Sequence, residues 1–413
     1  MVIKSVLADR EKRNEEIRKL CKIGAVACVK ANAPGTDKNT PYAKLLFSYF
    51  SMLLKKKGLA IEKTLSGADG DCALFLLKNG RTQKNKFVAI EEKHPLGRLI
   101  DIDVTEKNAE VSLSRPRLRK CFLCDKPAFY CGREKAHPLS ELLGHIERET
   151  EGYFTELLSK MIEESMLKEL RQKDKFGLVC KNTNGSHKDL DYTVMKRAID
   201  AVKIPLTKCF FVGLNAKDSE NMLNFLRPIG LDCEEKMYQA TNGANAYKGF
   251  IFIGGVLLAG VGYLISRSLP LSSLQGVIQS ICKGIDDAPN KDAFGYKAYH
   301  ERGFGGIRKL CLEGFSVVID LSKNIEKQPL LQSLCDIVGR IDDSVLLKRS
   351  GTLERYAYFK NAISSVDIRD KKQVKKVNQE CLQNNVSIGG SADVLIATIL
   401  LNNLLKTFYV GEL

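Results

Sequence analysis

The densest chemistry in the chain lies between residues 91 and 137. Glu91-Glu92-Lys93-His94-Pro95-Leu96-Gly97-Arg98 leads into Leu99-Ile100-Asp101-Ile102-Asp103-Val104. Successive side chains of a strand point to opposite faces, so Asp101 and Asp103 share one face. Two carboxylates at that spacing can hold Mg2+ against phosphate oxygens, and such an ion stabilises charge on the attacking and leaving oxygens of phosphoryl transfer. Arg98 adds a planar fork that suits a phosphate. A solvated strand face with alternating Asp is the plainer reading. Next comes the basic run Arg115-Pro116-Arg117-Leu118-Arg119-Lys120, followed by Cys121, Cys124, Cys131 and His137. Three thiols and an imidazole at these gaps suit a tetrahedral Zn2+ site, with reduced thiols beside a basic loop as the alternative. The basic run suits nucleic acid, a phosphate-rich ligand or an acidic protein, and no interleaved aromatics favour the first. Upstream, the turn Asn32-Ala33-Pro34-Gly35-Thr36-Asp37-Lys38 follows an apolar strand and places Lys38 where it can approach phosphate.

Four further blocks stand in the second half of the chain. Asn184-Gly185-Ser186-His187-Lys188-Asp189-Leu190-Asp191-Tyr192 sits at a helix start, where carboxylates are favoured by the dipole. His187, Asp189 and Asp191 are its acid–base candidates. Ala240-Thr241-Asn242-Gly243-Ala244-Asn245-Ala246-Tyr247-Lys248-Gly249 is a Gly/Asn-rich turn running into a helix, a plausible phosphate cradle through Asn245 and Lys248. Asp342-Asp343-Ser344 followed by Lys348-Arg349-Ser350-Gly351 suits a Mg2+–triphosphate pair, with Arg349 on the phosphates. Ser387-Ile388-Gly389-Gly390-Ser391-Ala392-Asp393 is a glycine-rich turn into the last helix, with Ser391 as a binding candidate. Each block by itself also reads as a turn or a helix cap.

These residues need elements to position them. Hydrophobic residues make up 44% of the 413 residues and charged ones 27%, which excludes a disordered or fibrous chain. The length suggests two or three domains. A basic amphipathic helix and a short apolar strand are expected over 5–30, a helix over 41–57, and strands at Phe87–Glu91 and Leu99–Val104. From Tyr153 to Leu170 the apolar spacing is helical, and helical stretches recur to residue 408 with few strand patterns between them. The reading is an α+β domain over 1–150 and an all-α domain over 151–413. The net charge of +15 favours anionic partners and is biased to the first domain, with 29 Lys+Arg against 19 Asp+Glu there and 35 against 30 in the remainder. Thirteen scattered Cys read as reduced thiols, and the charged N-terminus lacks a signal-peptide core, so a cytoplasmic protein is expected. Gly249–Ser266 carries no charge over a length at the lower edge of a membrane span. A helix buried on all sides is the preferred reading, because the segment stands alone in mid-chain.

Two resemblances become specific at this point. Arg10-Glu11-x-Arg13, Asn32-x-Pro34-Gly35-x-x-Lys38, His94-Pro95-Leu96-Gly97-Arg98-x-x-Asp101-x-Asp103-Val104 and Arg119-Lys120-Cys121-x-x-Cys124 through His137 resemble the apo-citrate lyase phosphoribosyl-dephospho-coenzyme A transferase family, also called the citrate lyase holo-[acyl carrier protein] synthases. That resemblance implies a nucleotidyltransferase-type reaction. A carrier-protein serine attacks a triphosphoribosyl group and diphosphate leaves. Arg10, Lys38, Arg98 and Arg119 are then the phosphate binders, and Asp101 and Asp103 the catalytic, metal-holding pair.

The four later blocks, in order over about 175–405, resemble the triphosphoribosyl-dephospho-coenzyme A synthase family. The implied reaction is attack by the 2′-hydroxyl of 3′-dephospho-coenzyme A on C1 of the ATP ribose, with adenine leaving. The implied ligands are ATP as substrate, Mg2+, dephospho-coenzyme A and the acyl carrier subunit of citrate lyase, with neither nucleic acid nor membrane. The sequence departs from the second family's pattern at several points: TGGxNTHKG reads TNGANAYKG, so Asn242, Ala246 and Tyr247 replace Gly, Thr and His. A His near the second Asp block appears as Lys348, Phe176 stands for a Pro near the Gly-Leu-Val block, and Arg308-Lys309-Leu310 lacks the Glu of RGE. Two alternatives therefore stay open: a transferase with a degenerate second unit, and a basic zinc-containing nucleic-acid-binding protein.

Overall fold

The computed structural model describes residues 2–115, 118–287 and 292–408; Pro116 and Arg117 of the basic run lie outside the described residues. The chain divides into two compact units. Among the described residues, the first comprises 2–154 with Ile265–Leu269 and 406–408, and the second comprises Thr155–Leu264 and Pro270–Leu405. The first is α+β and the second is built of helices.

The first unit runs α1 (Val2–Cys21), β1 (Ala25–Ala31), α2 (Pro41–Lys56), β2 (Ile61–Leu65), β3 (Cys72–Leu77), α3 (Gly80–Lys93), β4 (Ile100–Thr105), α4 (Ala128–Glu134) and the start of α5 (Leu139–Arg171). Its four strands form an antiparallel sheet in the order β2-β3-β1-β4. Alternation gives the sheet two different faces. Ala27, Val29, Phe75, Ile102 and Val104 are all wholly buried on one, and α2 and α3 cover it with Leu45, Phe50 and Phe87. Burying a side chain of this size contributes about 1.5–3 kcal/mol. On the other face Val26, Cys28, Cys72 and Leu74 pack under Ile17 and Leu20 of α1. That face turns polar toward Lys30, whose cross-strand partner is Asp101.

One expected strand is a helix. Phe87–Glu91 lies within α3, which starts at Asn79, whose side chain accepts from the Thr82 N–H at 3.0 Å. Lys84, Phe87, Val88 and Glu91 are its buried positions, spaced by three and four residues, so helical periodicity overrode the β-branched composition. Strands β2 and β3 were not foreseen; Cys72–Leu77 is a short, nearly continuous apolar run, which periodicity alone cannot assign.

The second unit continues with α6 (Tyr192–Val202), α7 (Lys208–Asn215), α8 (Met222–Ala240), α9 (Lys248–Arg267), α10 (Leu274–Ile281), α11 (Phe294–Arg302), α12 (Gly306–Leu312), α13 (Ser316–Ser322), α14 (Leu330–Arg340), α15 (Ser344–Ser350), α16 (Leu353–Ser364), α17 (Lys371–Gln383) and α18 (Gly389–Thr407). The apolar segment is α9. It is long and apolar enough to cross a membrane, but its most hydrophobic window is 83% buried within the protein, as expected of a core helix. Its glycines serve close packing: a Cβ on Gly262 would strike the Phe210 carbonyl of α7, and one on Gly213 of α7 would strike the Ala259 carbonyl of α9.

Candidate functional sites

In the first unit, β4 is an edge strand, and α3 satisfies its free backbone. The Ile102 N–H donates to Glu91 at 2.8 Å, and the Ile102 carbonyl accepts from Lys84 at 2.9 Å. Glu91 is 2% exposed. Its two oxygens also receive Arg115 and Arg119, and Arg119 reaches on to Asp101. A buried carboxylate thus folds the basic run back onto the strand and aims one arginine at the acidic pair. Asp101 is half-buried and Asp103 exposed on the shared face, as strand alternation requires. Arg98 donates to the Lys120 carbonyl and lies 5.3 Å from the Phe122 ring centre, so it clasps the same segment. Burial and the neighbouring Arg119 and Arg115 lower its pKa.

Cys121, Cys124, Cys131 and His137 converge, their donor atoms all within 4.8 Å of one another. The Cys124 and Cys131 sulfurs are 3.5 Å apart, and His137 Nε2 is 3.3 Å from the Cys124 sulfur. Around a tetrahedral zinc, with bonds of about 2.0–2.3 Å, such donors stand about 3.3–3.8 Å apart, so the set fits. A tight loop makes this convergence: Cys121 N–H donates to Lys126 O at 2.8 Å and Ala128 N–H to Arg119 O at 2.8 Å. Burial opposes ionisation of Cys121, but the Leu123 and Cys124 N–H groups point at its sulfur and bring its pKa below the ordinary value.

The other end of this face gathers Arg10 and Arg13 of α1, Lys30 of β1, Lys38 and the turn Asp69-Gly70-Asp71. Arg10 donates to Asp69 at 3.0 Å, and Arg13 pairs with the other Asp69 oxygen. Burial works against ionisation of Asp69, yet Arg10, Lys30 and Arg13 outweigh it and hold its pKa down. Lys38 donates to the Ala33 carbonyl at 2.5 Å, and burial followed by repulsion from Lys30 lowers its pKa. His94, from the most specific motif of the unit, is placed differently. Its Nδ1 accepts from the Leu96 N–H at 3.1 Å, and its Nε2 lies 3.2 Å from both the Tyr49 and Tyr153 hydroxyls. Burial lowers its pKa, so it is a neutral structural hub.

In the second unit the four blocks interlock. Arg349 donates to His187 Nδ1 at 3.1 Å, to the Ser186 carbonyl at 2.8 Å and to the Asn385 carbonyl at 3.2 Å. His187 Nε2 lies 3.2 Å from the Ser387 hydroxyl. Burial, then the Arg349 charge, bring the His187 pKa to about 4. Both ring nitrogens are engaged, and the ring is neutral at pH 7. Arg349 thus has three contacts to protein acceptors for its five N–H groups. Asp191 caps α6, accepting from Val194 N–H at 2.7 Å, while Asp189 is exposed beside the His187–Arg349 pair.

The expected carboxylate pair at 342–343 does not converge. Asp343 is 2% exposed and spends both oxygens on protein donors: Val345 N–H and Leu346 N–H on one, and the Ser391 N–H and hydroxyl on the other. Asp342 turns to Lys309 and Lys360, at 3.3 and 3.5 Å. Adjacent residues at a helix N-cap diverge because the cap must face the helix axis. Lys248 pairs with Glu234 at 2.6 Å, and Asn245 caps α9 through the Lys248 N–H at 3.2 Å.

Sequence reasoning missed Glu91, Asp69 and Asp71 in the first unit, and Glu169, Tyr247 and Asp393 in the second. Asp393 lies in the already suspected glycine-rich block. It accepts from the Phe250 N–H at the start of α9, and burial plus the Asp343 and Glu169 charges push its pKa well up. Tyr247, where the family pattern has His, is buried with its hydroxyl unpartnered, in the field of Glu169 and Asp393. The doubled aspartate of Asp69-Gly70-Asp71 was the available signal for the turn.

Comparison with known proteins agrees with this division. Residues 155–410 match the family model for the ATP:dephospho-CoA triphosphoribosyl transferases. The chain belongs to that family. Residues 1–153 match the model for the apo-citrate lyase phosphoribosyl-dephospho-CoA transferases, so the two transferase domains stand in tandem. A relative from Leuconostoc mesenteroides subsp. cremoris named "Protein CitXG" is 29% identical, covering 96% of this chain and 95% of its own length. A protein of the same name from Haemophilus influenzae is 28% identical over 80% of this chain and 79% of its own. The "2-(5''-triphosphoribosyl)-3'-dephosphocoenzyme-A synthase" of Haemophilus ducreyi is 27% identical, covering 68% of this chain and 99% of itself.

Proposed function

We propose that this chain makes and then delivers the prosthetic group of citrate lyase. Both units are transferases. In the second, the 2′-hydroxyl of 3′-dephospho-coenzyme A displaces adenine from C1 of the ATP ribose. In the first, the phosphoribosyl-dephospho-coenzyme A moiety passes to a serine of the acyl carrier subunit and diphosphate leaves. The tandem match over nearly the whole chain carries this reading.

The geometry supports the following residue roles. Asp101 and Asp103 would hold Mg2+ at the reacting phosphate, with Arg119 fixing Asp101, Arg98 clasping the loop behind it, and Arg10 and Lys38 lining the approach for the polyphosphate. The cysteine–histidine cluster would bind a structural Zn2+ that anchors the segment bearing Arg119. In the second unit, loss of adenine needs carboxylates near an oxocarbenium-like ribosyl carbon and an acid at the leaving base. Asp189 and Asp191 are assigned to the former. Asp393, whose raised pKa favours the protonated form, is assigned to the latter. Ser391, Asn245 and Lys248 border the α9 and α18 N-termini, whose positive dipole ends would favour the triphosphate. Mg2+ would be shared between Asp342 and the triphosphate, since Asp343 is already saturated. We assign the chain to the cytoplasm, with neither nucleic acid nor membrane as partner.

The deciding experiment supplies the chain with ATP, Mg2+, dephospho-coenzyme A and apo-carrier protein. The carrier should gain the mass of the prosthetic group, and adenine should be released even without carrier. Asp101→Asn should abolish the mass gain and leave adenine release intact; no mass gain by the wild type when triphosphoribosyl-dephospho-coenzyme A is supplied would overturn the first-unit assignment. Absence of adenine release would favour a second unit that has lost catalysis.

A further inference from the structure

β2 and β3 are joined through Gly67-Ala68-Asp69-Gly70-Asp71. Gly70 has φ +87°, where a side chain is strained, and a Cβ there would press on the Lys38 carbonyl at 3.1 Å. The turn thus lies directly against the Lys38 loop. Together they border a shallow recess, open to solvent, lined by Lys30, Lys38, Lys44, Asp69, Gly70 and Asp71.

The two aspartates are not equivalent. Asp69 is paired through both oxygens, with Arg10 on one and Arg13 on the other. Asp71 is 7% exposed; one oxygen accepts from the hydroxyl of Ser268, a residue of the same unit, at 2.7 Å, and Oδ1 is buried with no hydrogen-bond partner. A buried carboxylate oxygen without a donor is unfavourable and calls for a proton donor or a cation. The three ammonium groups call for an anion, and burial already disfavours the charge on Lys38. A polyphosphate carrying a divalent cation meets both demands.

We propose that this recess seats the diphosphate end of the triphosphoribosyl substrate, with Lys30, Lys38 and Lys44 on its oxygens and a divalent cation bridging it to Asp71. This rests on the transfer reaction assigned to the first unit. There the serine Oγ–P bond forms as the bond from that phosphorus to its bridging oxygen breaks. The electron pair stays with the departing diphosphate, and the serine proton passes to solvent. The recess neutralises the charge that accumulates on the leaving group.

Titration calorimetry of inorganic diphosphate into the full chain, at a series of Mg2+ concentrations, tests this. Asp71→Asn should raise the Mg2+ needed for half-maximal diphosphate binding at least about tenfold, and Lys38→Met should weaken binding at saturating Mg2+ by a similar factor. Lys44→Gln, at a half-exposed helix position, is the second charge variant, and melting curves identify any variant that fails to fold. Binding within twofold of wild type in folded Asp71→Asn and Lys38→Met variants overturns the proposal, as does a wild-type chain that binds no diphosphate. KM for ATP in adenine release should be unchanged in these variants; a rise would mean that the recess serves ATP instead, and would also overturn it. The calorimetry uses no carrier protein, so failure of the carrier to gain mass would refute the transfer reading separately.

Discussion

Asp343 and Ser391 lie 48 residues apart in sequence and are joined through one carboxylate oxygen, which accepts from the Ser391 N–H at 2.7 Å and its hydroxyl at 2.8 Å. The other oxygen caps α15 through Val345 and Leu346. Asp343 therefore ties two helix N-termini together. Asp343→Ala strips four donors of their partner and should destabilise the chain by about 3–5 kcal/mol, whereas Ser391→Ala removes one hydroxyl bond and should cost about 1 kcal/mol. Urea midpoints measure both. Equal effects would show that the carboxylate is not the hub.

The cysteine–histidine cluster predicts about one zinc per chain. Cys124→Ser should lose it, and because a metal held there would anchor the Arg119 segment, carrier modification should fall by about 10–100-fold. Adenine release should be unchanged. Metal analysis of the purified chain, alongside the two activity assays, checks all three; a zinc-free chain with full transfer activity would refute the structural role.

His187 makes stability fall on acidification. Its pKa is depressed from 6.5 to about 4 in the fold, so between those values the unfolded chain binds the extra proton and stability rises with pH. The contribution is complete above about pH 6.5 and lost progressively toward pH 4, amounting to at most about 3 kcal/mol. His187→Gln should flatten the difference in melting temperature between pH 7 and pH 4.5 relative to the wild type. An unchanged pH profile would mean that the imidazole is not held neutral by burial and Arg349.

Asp393 is expected to serve adenine departure as a protonated acid. Asp393→Asn should lower the rate of adenine release by about 10²–10⁴-fold with the fold intact. Since burial and the Asp343 and Glu169 charges push its pKa up, the wild-type rate should decline as pH rises through that value, and the variant's residual rate should not. Parallel pH profiles would count against this role.

Much of the architecture was legible because it is local. The helical spacing from Phe154 through Leu170, and the uncharged run that became α9, follow from which residues recur every three or four positions. The same logic misread Phe87–Glu91, where a β-branched composition masked an i, i+3, i+4 face, and missed β3, whose apolar run has no period. The Cys121–His137 cluster was legible as a ligand set, but its convergence depended on a loop closed by the Cys121–Lys126 backbone bond.

The sequence by itself determined the two-part organisation, the order of the motif blocks and the pair of reactions, because residue types at fixed short spacing need no knowledge of packing. Only the tertiary structure decided which of those residues find partners inside the protein. It turned Asp343, His187 and Arg349 into internal partners, since a buried charge or imidazole must find donors and acceptors wherever the fold brings them. It also brought forward Glu91, Asp71 and Asp393, whose importance lies in burial and in neighbours drawn from distant segments.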